Sequence, residues 1–319
     1  MTSLVRLTRG RLDDAIRDLL GKEIEERVAT SNLDPDGQEA ILASIGAHAL
    51  SRYLPGEILN ALRVFPATGA HALLLSHLPT WEFPPTPVNG FGAEAELAEI
   101  NALHFGLIQL LGLTPFAVDY ENDGRLIRNV VPNPAAAGKT SSWGSDSEFF
   151  WHTDNPHLPF GEPGTDPRLY IPRYLTFYGV RNLERVPTEI AAVDDAARLV
   201  DEQTWRQLHF ASYEVGPPAS VNTDPAGGAT VRLATPVVEP GGDGFRVRYD
   251  RGTTRGQTDE AAAALDTWTQ ALTGIQRLEL VLEPGEFLIF DNCRVLHRRR
   301  GFTPEPADAA RWLRRCYAS

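Results

Sequence analysis

The stretch Phe149-Phe150-Trp151-His152-Thr153-Asp154-Asn155-Pro156-His157 places an imidazole and a carboxylate two residues apart, directly after three aromatic residues. Because residues i and i+2 of a β-strand point to the same face, His152 and Asp154 can bind one metal ion together from a strand end. Two His and one carboxylate form the ligand set that holds Fe(II) and leaves positions open for substrate and oxygen. The stretch therefore predicts two of three metal ligands and requires a second His elsewhere, whereas His157 is expected to be a loop residue.

The C-terminal region supplies a candidate for that second His. Glu283-Pro284-Gly285-Glu286 is typical of a tight turn between the apolar runs 278–282 and 287–290. The second run continues toward His297, which is expected just past a buried strand. A return strand can then bring Arg311 back toward the metal, where its guanidinium fork suits a carboxylate of a dicarboxylic co-substrate.

Composition and charge exclude several classes of protein. The 319 residues carry a formal net charge of −12, which argues against nucleic acid and against anionic membrane surfaces as partners. No apolar run has the length of a membrane span, and the N-terminus lacks the apolar core of a signal peptide. Cys293 and Cys316 are the two cysteines, too few for a disulfide framework. A cytoplasmic protein is expected.

The order of predicted elements indicates an α+β fold in which helices gather in the first third. Helical patterns cover residues 11–65, 93–111 with a stop at Gly112, 188–200 and 259–272. Predicted strands cover residues 71–76, 116–120, 125–131, 174–180 and 245–250. The strands 116–120 and 125–131 flank an Asp-Gly pair, which predicts a hairpin between them.

Five stretches, taken together and in order, resemble the Fe(II)/2-oxoglutarate-dependent oxygenases, in particular the clavaminate synthase-like branch with its arginine and asparagine β-hydroxylases. They are GRLIRNVVP (124–132), SSWGSDSEFFWHTD (141–154), PTEIAAVDD (187–195), FRVRYD (245–250) and PGEFLIFDNCRVLH…RWLRR (284–315). The resemblance implies a distorted double-stranded β-helix, a cupin-like jelly roll, decorated by helices. The chain is expected to form a single domain over 1–319, with a helical part at 1–70 and the jelly-roll core at 71–319.

The resemblance also implies the cofactors. His152, Asp154 and His297 would bind Fe(II), while Arg311 and Thr188 would bind 2-oxoglutarate, with O2 as the oxidant. Decarboxylation of 2-oxoglutarate to succinate would be coupled to hydroxylation of an unactivated C–H bond. Related halogenases carry a small residue at the carboxylate position, so the presence of Asp154 favours hydroxylation over halogenation. From the residues alone, Thr188 is equally suited to be a helix N-cap.

For the substrate, the resemblance implies an amino acid, free or carrier-bound, in specialised metabolism such as antibiotic biosynthesis. Arg315 and Ser142 would bind its α-carboxylate, and Glu121 or Asn122 its α-amino group. The alternative to a binding role for Glu121 is a solvated carboxylate in a turn. Asp250 would face a donor, either Arg248 on the same strand face or a nitrogen-bearing side chain of the substrate.

Three alternatives stay open at this point. The chain could oxidise a small metabolite that is not an amino acid, or it could catalyse desaturation or ring closure on the same scaffold. It could also be a non-catalytic sensor, since a fold does not determine a function. The sequence leaves the oligomeric state open.

Overall fold

The computed structural model describes residues 3–31, 39–92, 94–136, 148–161, 164–218 and 232–319. Helices flank two sheets within these ranges. The helices are α1 (Asp14–Thr30), α2 (Glu39–Tyr53), α3 (Gly56–Val64), α4 (Ala98–Leu110), α5 (Val193–Ala197), α6 (Glu202–Leu208) and α7 (Asp259–Leu272). Among the described residues, none of the helices combines the length and the apolar character needed to cross a membrane.

The strands fall into two larger sheets and two small ones. They are β1 (Leu7–Arg11), β2 (Ala72–Ser76), β3 (Pro115–Phe116), β4 (Ile127–Val130), β5 (Phe149–His152), β6 (Tyr174–Arg181), β7 (Thr188–Ala192), β8 (Tyr213–Val215), β9 (Arg232–Thr235), β10 (Val238–Gly241), β11 (Gly244–Val247), β12 (Thr254–Gly256), β13 (Leu278–Leu280), β14 (Phe287–Asp291), β15 (Val295–Arg299) and β16 (Trp312–Ala318).

The largest sheet has the order β1-β2-β14-β6-β16-β3, with β4 also paired to β16. Its strands alternate between two apolar layers, as period-2 side chains must. Leu73 and Leu75 of β2 pack against the core formed with helices α1 to α4. Ala72 and Leu74 point the other way, into a second core. The sheet is therefore covered by helices on one face only.

The second large sheet has the order β13-β7-β15-β5 and faces the first. Ile190 and Val295 of this sheet share one core with Leu74, Phe290 and Leu313 of the larger sheet. The outer face of the smaller sheet is covered by a third core built around α5, α6 and α7, in which Trp151, Trp268 and Leu296 are buried. Two facing sheets, each backed by helices, enclose the space where the site lies.

The helical predictions are largely confirmed. Three helices occupy 14–64, α4 ends next to Gly112 (φ +71°), and α7 begins and ends within the predicted 259–272 segment. The N-terminal part is not purely helical, because β1 lies before α1 and pairs in parallel with β2. The strand predicted at 71–76 is therefore the second strand, and β1 extends the edge of the sheet.

The predicted hairpin between residues 116–120 and 125–131 is wrong. β3 and β4 do not pair with each other but lie one after the other along β16, with Phe116 opposite Tyr317 and Arg128 opposite Arg315. A long buried strand offers both segments a partner, and this tertiary pairing overrides the local turn signal. The left-handed residues Asn122, Asp123 and Gly124 instead form a short 3-10 turn on this edge.

The helix predicted from residue 188 is also wrong at its start. Residues Thr188–Ala192 form β7, paired with β13 and β15, and the helix begins only at Val193. Every residue of β7 is buried, so the strand lacks the alternation of polar and apolar residues that identifies a one-sided strand. Thr188 is therefore not an N-cap.

A glycine contact between α2 and α4 gives a test of the packing. A Cβ on Gly46 would lie 1.8 Å from the carbonyl oxygen of Ala102. We expect Gly46→Ala to lower the free energy of unfolding by about 1–3 kcal/mol, measured by urea denaturation, because the helices must move apart. Gly56→Ala, where no atom lies within 4 Å, is the control and should change stability by less than about 0.5 kcal/mol. Equal stability of the two variants would contradict this close packing.

Candidate active site

The pairing of β5 with β15 brings two imidazoles together. His152 lies directly opposite His297 in the antiparallel register, and the centres of the two rings are 4.0 Å apart. The sequence placed His297 just past a strand, whereas it lies within β15. Phe149 stacks on the His152 ring at 3.7 Å and fixes its plane.

Asp154 completes a cluster of three possible metal ligands. One ligand atom from each of His152, Asp154 and His297 lies within 4.8 Å of the others, and the cluster is buried. Both Nε2 atoms approach the same carboxylate oxygen of Asp154, at 3.4 Å from His152 and 3.3 Å from His297. Two imidazole nitrogens and one carboxylate oxygen around a common point match the ligand set of a mononuclear iron site.

The protonation of the imidazoles suits metal binding. Nδ1 of His152 lies 2.7 Å from the carbonyl oxygen of Phe150 and donates to it, so Nε2 carries the lone pair. That buried Nε2 has no hydrogen-bond partner among the described residues. Burial lowers the pKa of His297 to about 4, which keeps its ring neutral. The residues present therefore fit a divalent metal.

Asp154 is held at both its backbone and its side chain. The Asn292 amide accepts from the backbone N–H of Asp154 at 3.0 Å and donates to its carbonyl at 3.2 Å. The second carboxylate oxygen, Oδ2, accepts from Arg315 at 2.7 Å. Burial would raise the pKa of Asp154, but Arg315 and the two imidazoles outweigh it and hold the pKa well below its usual value. One oxygen of an ionised carboxylate is thus left for a metal.

Arg315 connects Asp154 with a second buried carboxylate. Its other terminal nitrogen donates to Oε1 of Glu121 at 2.8 Å, and the Tyr317 hydroxyl donates to Oε2 of Glu121 at 2.8 Å. Arg128, opposite Arg315 across the β4–β16 pair, forms an ion pair with Glu121. Burial would raise the pKa of Glu121, but Arg315 and Arg128 lower it below its usual value. The solvated-turn interpretation of Glu121 is wrong.

Arg128, Tyr317 and Asn292 were not predicted from the sequence. Arg128 stands in a strand whose residues are all buried, and a charged residue in such a strand is a signal for a buried partner. Tyr317 lies two residues after Arg315, on the same face of β16, which the strand period could have revealed. Asn292 directly follows the buried strand β14 and precedes the turn to β15.

A cavity opens beside the three-residue cluster and contains a buried cation. Its walls include Phe177, Leu313, Thr188, Arg299, Arg311 and Arg315. The Arg311 guanidinium approaches the Thr188 hydroxyl at 3.4 Å, and no carboxylate lies within ion-pair distance of it among the described residues. Burial, and then the charge of Arg299, lower the pKa of Arg311 to about 9. Such a cation is suited to an anionic ligand.

The other predicted site residues have different positions. The Asn122 side chain donates to the carbonyls of Arg125 and Ile127 and is thus used within its own turn, so Glu121 rather than Asn122 reaches the site. Ser142 lies outside the described residues. His157 is buried but not part of the cluster of possible metal ligands.

Asp250 lies near the cluster through a backbone bridge to His152. Its carboxylate accepts from the backbone N–H groups of Gly252 and Thr253, at 2.6 and 3.1 Å. The predicted pairing with Arg248 is wrong, because Arg248 forms an ion pair with Glu239 instead. Donors from its own turn, which the sequence analysis did not consider, therefore satisfy one oxygen of Asp250.

The Arg128–Glu121 pair generates a prediction about stability. Arg128→Met should lower the free energy of unfolding by on the order of 3 kcal/mol, measured by urea denaturation, since it removes a partner of a buried carboxylate. Adding Glu121→Gln should recover part of the loss. Arg206→Met, which breaks an exposed pair with Glu202, should cost at most about 1 kcal/mol. If Arg128→Met costs no more than this control, Glu121 does not depend on Arg128.

Comparison with known proteins gives consistent matches. Residues 191–317 match the family described as taurine catabolism dioxygenase TauD, TfdA family. The chain is 27% identical to clavaminate synthase 2 of Streptomyces clavuligerus over 85% of this chain and 81% of that protein. It is 24% identical to the L-lysine 3-hydroxylase of Catenulispora acidiphila over 83% of this chain and 72% of that protein.

A solved structure shares the fold. An asparagine oxygenase, solved in complex with Fe(II), 2S,3S-3-hydroxyasparagine and succinate, superposes with a TM-score of 0.80. The match covers 97% of this chain and 92% of that one at 23% sequence identity. The resemblance that the sequence motifs predicted is thus confirmed: the chain is similar to the TauD/TfdA dioxygenases over residues 191–317 and to clavaminate synthase 2 over most of its length, and it shares the fold of the asparagine oxygenase.

Proposed function

We propose that this chain is an Fe(II)- and 2-oxoglutarate-dependent dioxygenase that hydroxylates an unactivated C–H bond of an amino acid. The observation that carries the proposal is the buried cluster of His152, Asp154 and His297, which opens onto the cavity containing Arg311. A three-ligand site that leaves metal positions open, beside a buried cation without an ion-pair partner among the described residues, is the arrangement that an oxygenase with an anionic co-substrate requires.

His152, Asp154 and His297 would bind Fe(II) through two Nε2 atoms and one carboxylate oxygen. The Phe150 carbonyl fixes the tautomer of His152, and Arg315 occupies the second oxygen of Asp154. Such partners behind the ligands orient them and tune their basicity. The half-buried Phe149 and the buried Phe290 pack against the two imidazoles and restrict water, which protects the oxidation from side reactions.

Arg311 and Thr188 would bind the distal carboxylate of 2-oxoglutarate, and its 2-oxo acid end would then reach the metal. When bound, Fe(II) with 2-oxoglutarate and O2 supplies oxidative decarboxylation to succinate coupled to C–H hydroxylation. The contribution of the protein is to bind and orient both substrates. The Arg311 guanidinium suits this task because it is buried and its Nε has no hydrogen-bond partner among the described residues.

Arg315 and Glu121 would bind the amino-acid substrate at its α-carbon. Arg315 uses its two terminal nitrogens on Asp154 and Glu121, while its Nε is buried without a partner among the described residues, so it can still donate to a carboxylate. The ionised Glu121 suits an α-ammonium group. In the same proposal, Ser142 would bind the α-carboxylate of the substrate and Asp250 would lie near its side chain.

Relatives support an amino acid as the class of substrate. One of them is named for 3-hydroxylation of L-lysine, another for β-hydroxylation of enduracididine, and the asparagine oxygenase was solved with a hydroxylated asparagine. The amino acids in these names differ in their side chains and share the amino-acid backbone. The proposed contacts of Arg315 and Glu121 are made to that common part.

The finer architecture is part of the same proposal. We infer that the two facing sheets form a distorted double-stranded β-helix, with the metal ligands on the sheet β13-β7-β15-β5 and at its edge. Residues 1–319 would form one domain, since the core between α1 to α4 and the large sheet contains residues from both the N-terminal part and the C-terminal strands.

A panel of amino acids tests the function. The purified protein with Fe(II), 2-oxoglutarate and O2 should release succinate faster with one or a few L-amino acids than without them. Mass spectrometry should find a product heavier by one oxygen atom. A product lighter by two hydrogen atoms would indicate desaturation in place of hydroxylation. Succinate release that no amino acid increases would contradict an amino-acid substrate, and its complete absence would contradict the oxygenase assignment.

Arg311 gives the second test. Arg311→Ala should raise the concentration of 2-oxoglutarate needed for half-maximal succinate release about ten- to a hundredfold, because a charge-assisted contact of roughly 1.5–3 kcal/mol is lost. Arg206→Ala on the surface is the control and should leave this concentration unchanged. An unchanged requirement in Arg311→Ala would move the carboxylate contact to another residue.

A further inference from the structure

The strand β5 contains a β-bulge directly before the metal-ligand candidate His152. His152 pairs with His297, but two positions further along β15 the partner is Phe149, which gives β5 one extra residue. Phe149 and His152 therefore both line the cavity, although they are three residues apart. The adjacent Phe150 and Trp151 are both buried in the core on the outer face of the sheet. A bulge of this kind interrupts the backbone ladder and re-aims a side chain.

Residues of the bulge orient the His152 imidazole. The Phe149 ring stacks on it, with the ring centres 3.7 Å apart. The Phe150 carbonyl accepts a hydrogen bond from Nδ1 at 2.7 Å, which leaves Nε2 for a metal ion. Because both groups belong to the bulge, a change in the shape of the bulge would turn the imidazole away from the metal position.

Arg298 contacts the bulge from the outer face of the sheet. It directly follows His297 and points to the opposite face of β15. Its guanidinium lies 4.7 Å from the centre of the Trp151 ring and donates to the Glu148 carboxylate at 3.0 Å, both at β5. Its Nε forms an ion pair with Glu189 of β7 at 2.8 Å. One guanidinium therefore links three neighbouring strands at the level where the ladder between β5 and β15 is interrupted.

The buried Glu189 gives this link a fixed end. Besides Arg298, its carboxylate forms ion pairs with Arg277 at 2.6 Å and with Arg300 at 2.5 Å. Arg277 and Arg300 also form ion pairs with Glu279 of β13, whereas Arg298 turns toward β5. Arg298 is thus the member of this cluster that connects the buried carboxylate to the bulge.

We propose that Arg298 is a positioning residue for the metal site, which holds the bulge of β5 against β15 and thereby keeps His152 oriented toward the metal. This inference rests on the proposed function, because it concerns the metal ligands of that site. Arg298 acts from the outer face and through His152, not by contact with the metal. Removal of such a partner behind a metal ligand typically weakens metal binding about 10- to 100-fold.

Titration with Co(II), followed by its visible absorption, tests the proposal, because Co(II) accepts the same imidazole and carboxylate ligands without turnover. Arg298→Met keeps an apolar stem over Trp151 and removes the guanidinium. This variant should raise the Kd of Co(II) about tenfold or more. Arg298→Lys, which restores a charge beside Glu189 but not the planar fork, should recover part of the affinity.

Arg277→Met is the matched control, since it removes a different guanidinium from Glu189, on the side of β13. Both variants leave Glu189 with two guanidinium partners, and the control should bind Co(II) as the wild type does. If Arg298→Met does not fold, Arg298→Lys is compared with Arg277→Lys, and a higher Kd in Arg298→Lys alone supports the proposal.

An unchanged Kd in the variants at Arg298, or an equal rise in the variants at Arg277, would overturn the positioning role. Wild-type protein that binds no Co(II) would instead contradict the metal site and with it the proposed function.

Discussion

The guanidinium of Arg315, which joins the buried carboxylates of Asp154 and Glu121, is the interaction on which the site depends. Two carboxylates so close in the interior would repel each other and become protonated without it. With it, Asp154 stays ionised and offers one oxygen beside the two imidazoles. The pairing of β16 with β4 and β6 sets the position of Arg315, so the fold and the chemistry are coupled at this strand.

The net charge of −12 describes the whole chain and conceals the character of its interior. Arg128 and Arg315 are paired with buried carboxylates, whereas Arg311 has no ion-pair partner among the described residues. Buried charges are costly unless they are paired, so Arg311 indicates an anionic ligand. An acidic protein can therefore have a site for carboxylates.

The sequence predicted those parts of the site that depend on spacing within one strand or on motif order. His152 and Asp154 lie together because they are two residues apart, and Arg311, which directly precedes β16, lines the same cavity as Arg315. Arg128 could not be predicted in this way, because its position depends on which strand pairs with which. The wrong hairpin at 116–131 had a further effect: it left Glu121 in a solvated turn, whereas the actual pairing buries it. Thr188 was misread locally because a strand buried on both faces shows no alternation.

The binding of one metal ion by His152, Asp154 and His297 is the central claim, and anaerobic calorimetric titration with Fe(II) tests it most directly. The account predicts one Fe(II) bound per chain in the wild type. It also predicts loss of that binding in His152→Ala and in His297→Ala, with unfolding transitions that show intact folds. Wild-type protein that binds no Fe(II), or variants that bind it as the wild type does, would contradict the account.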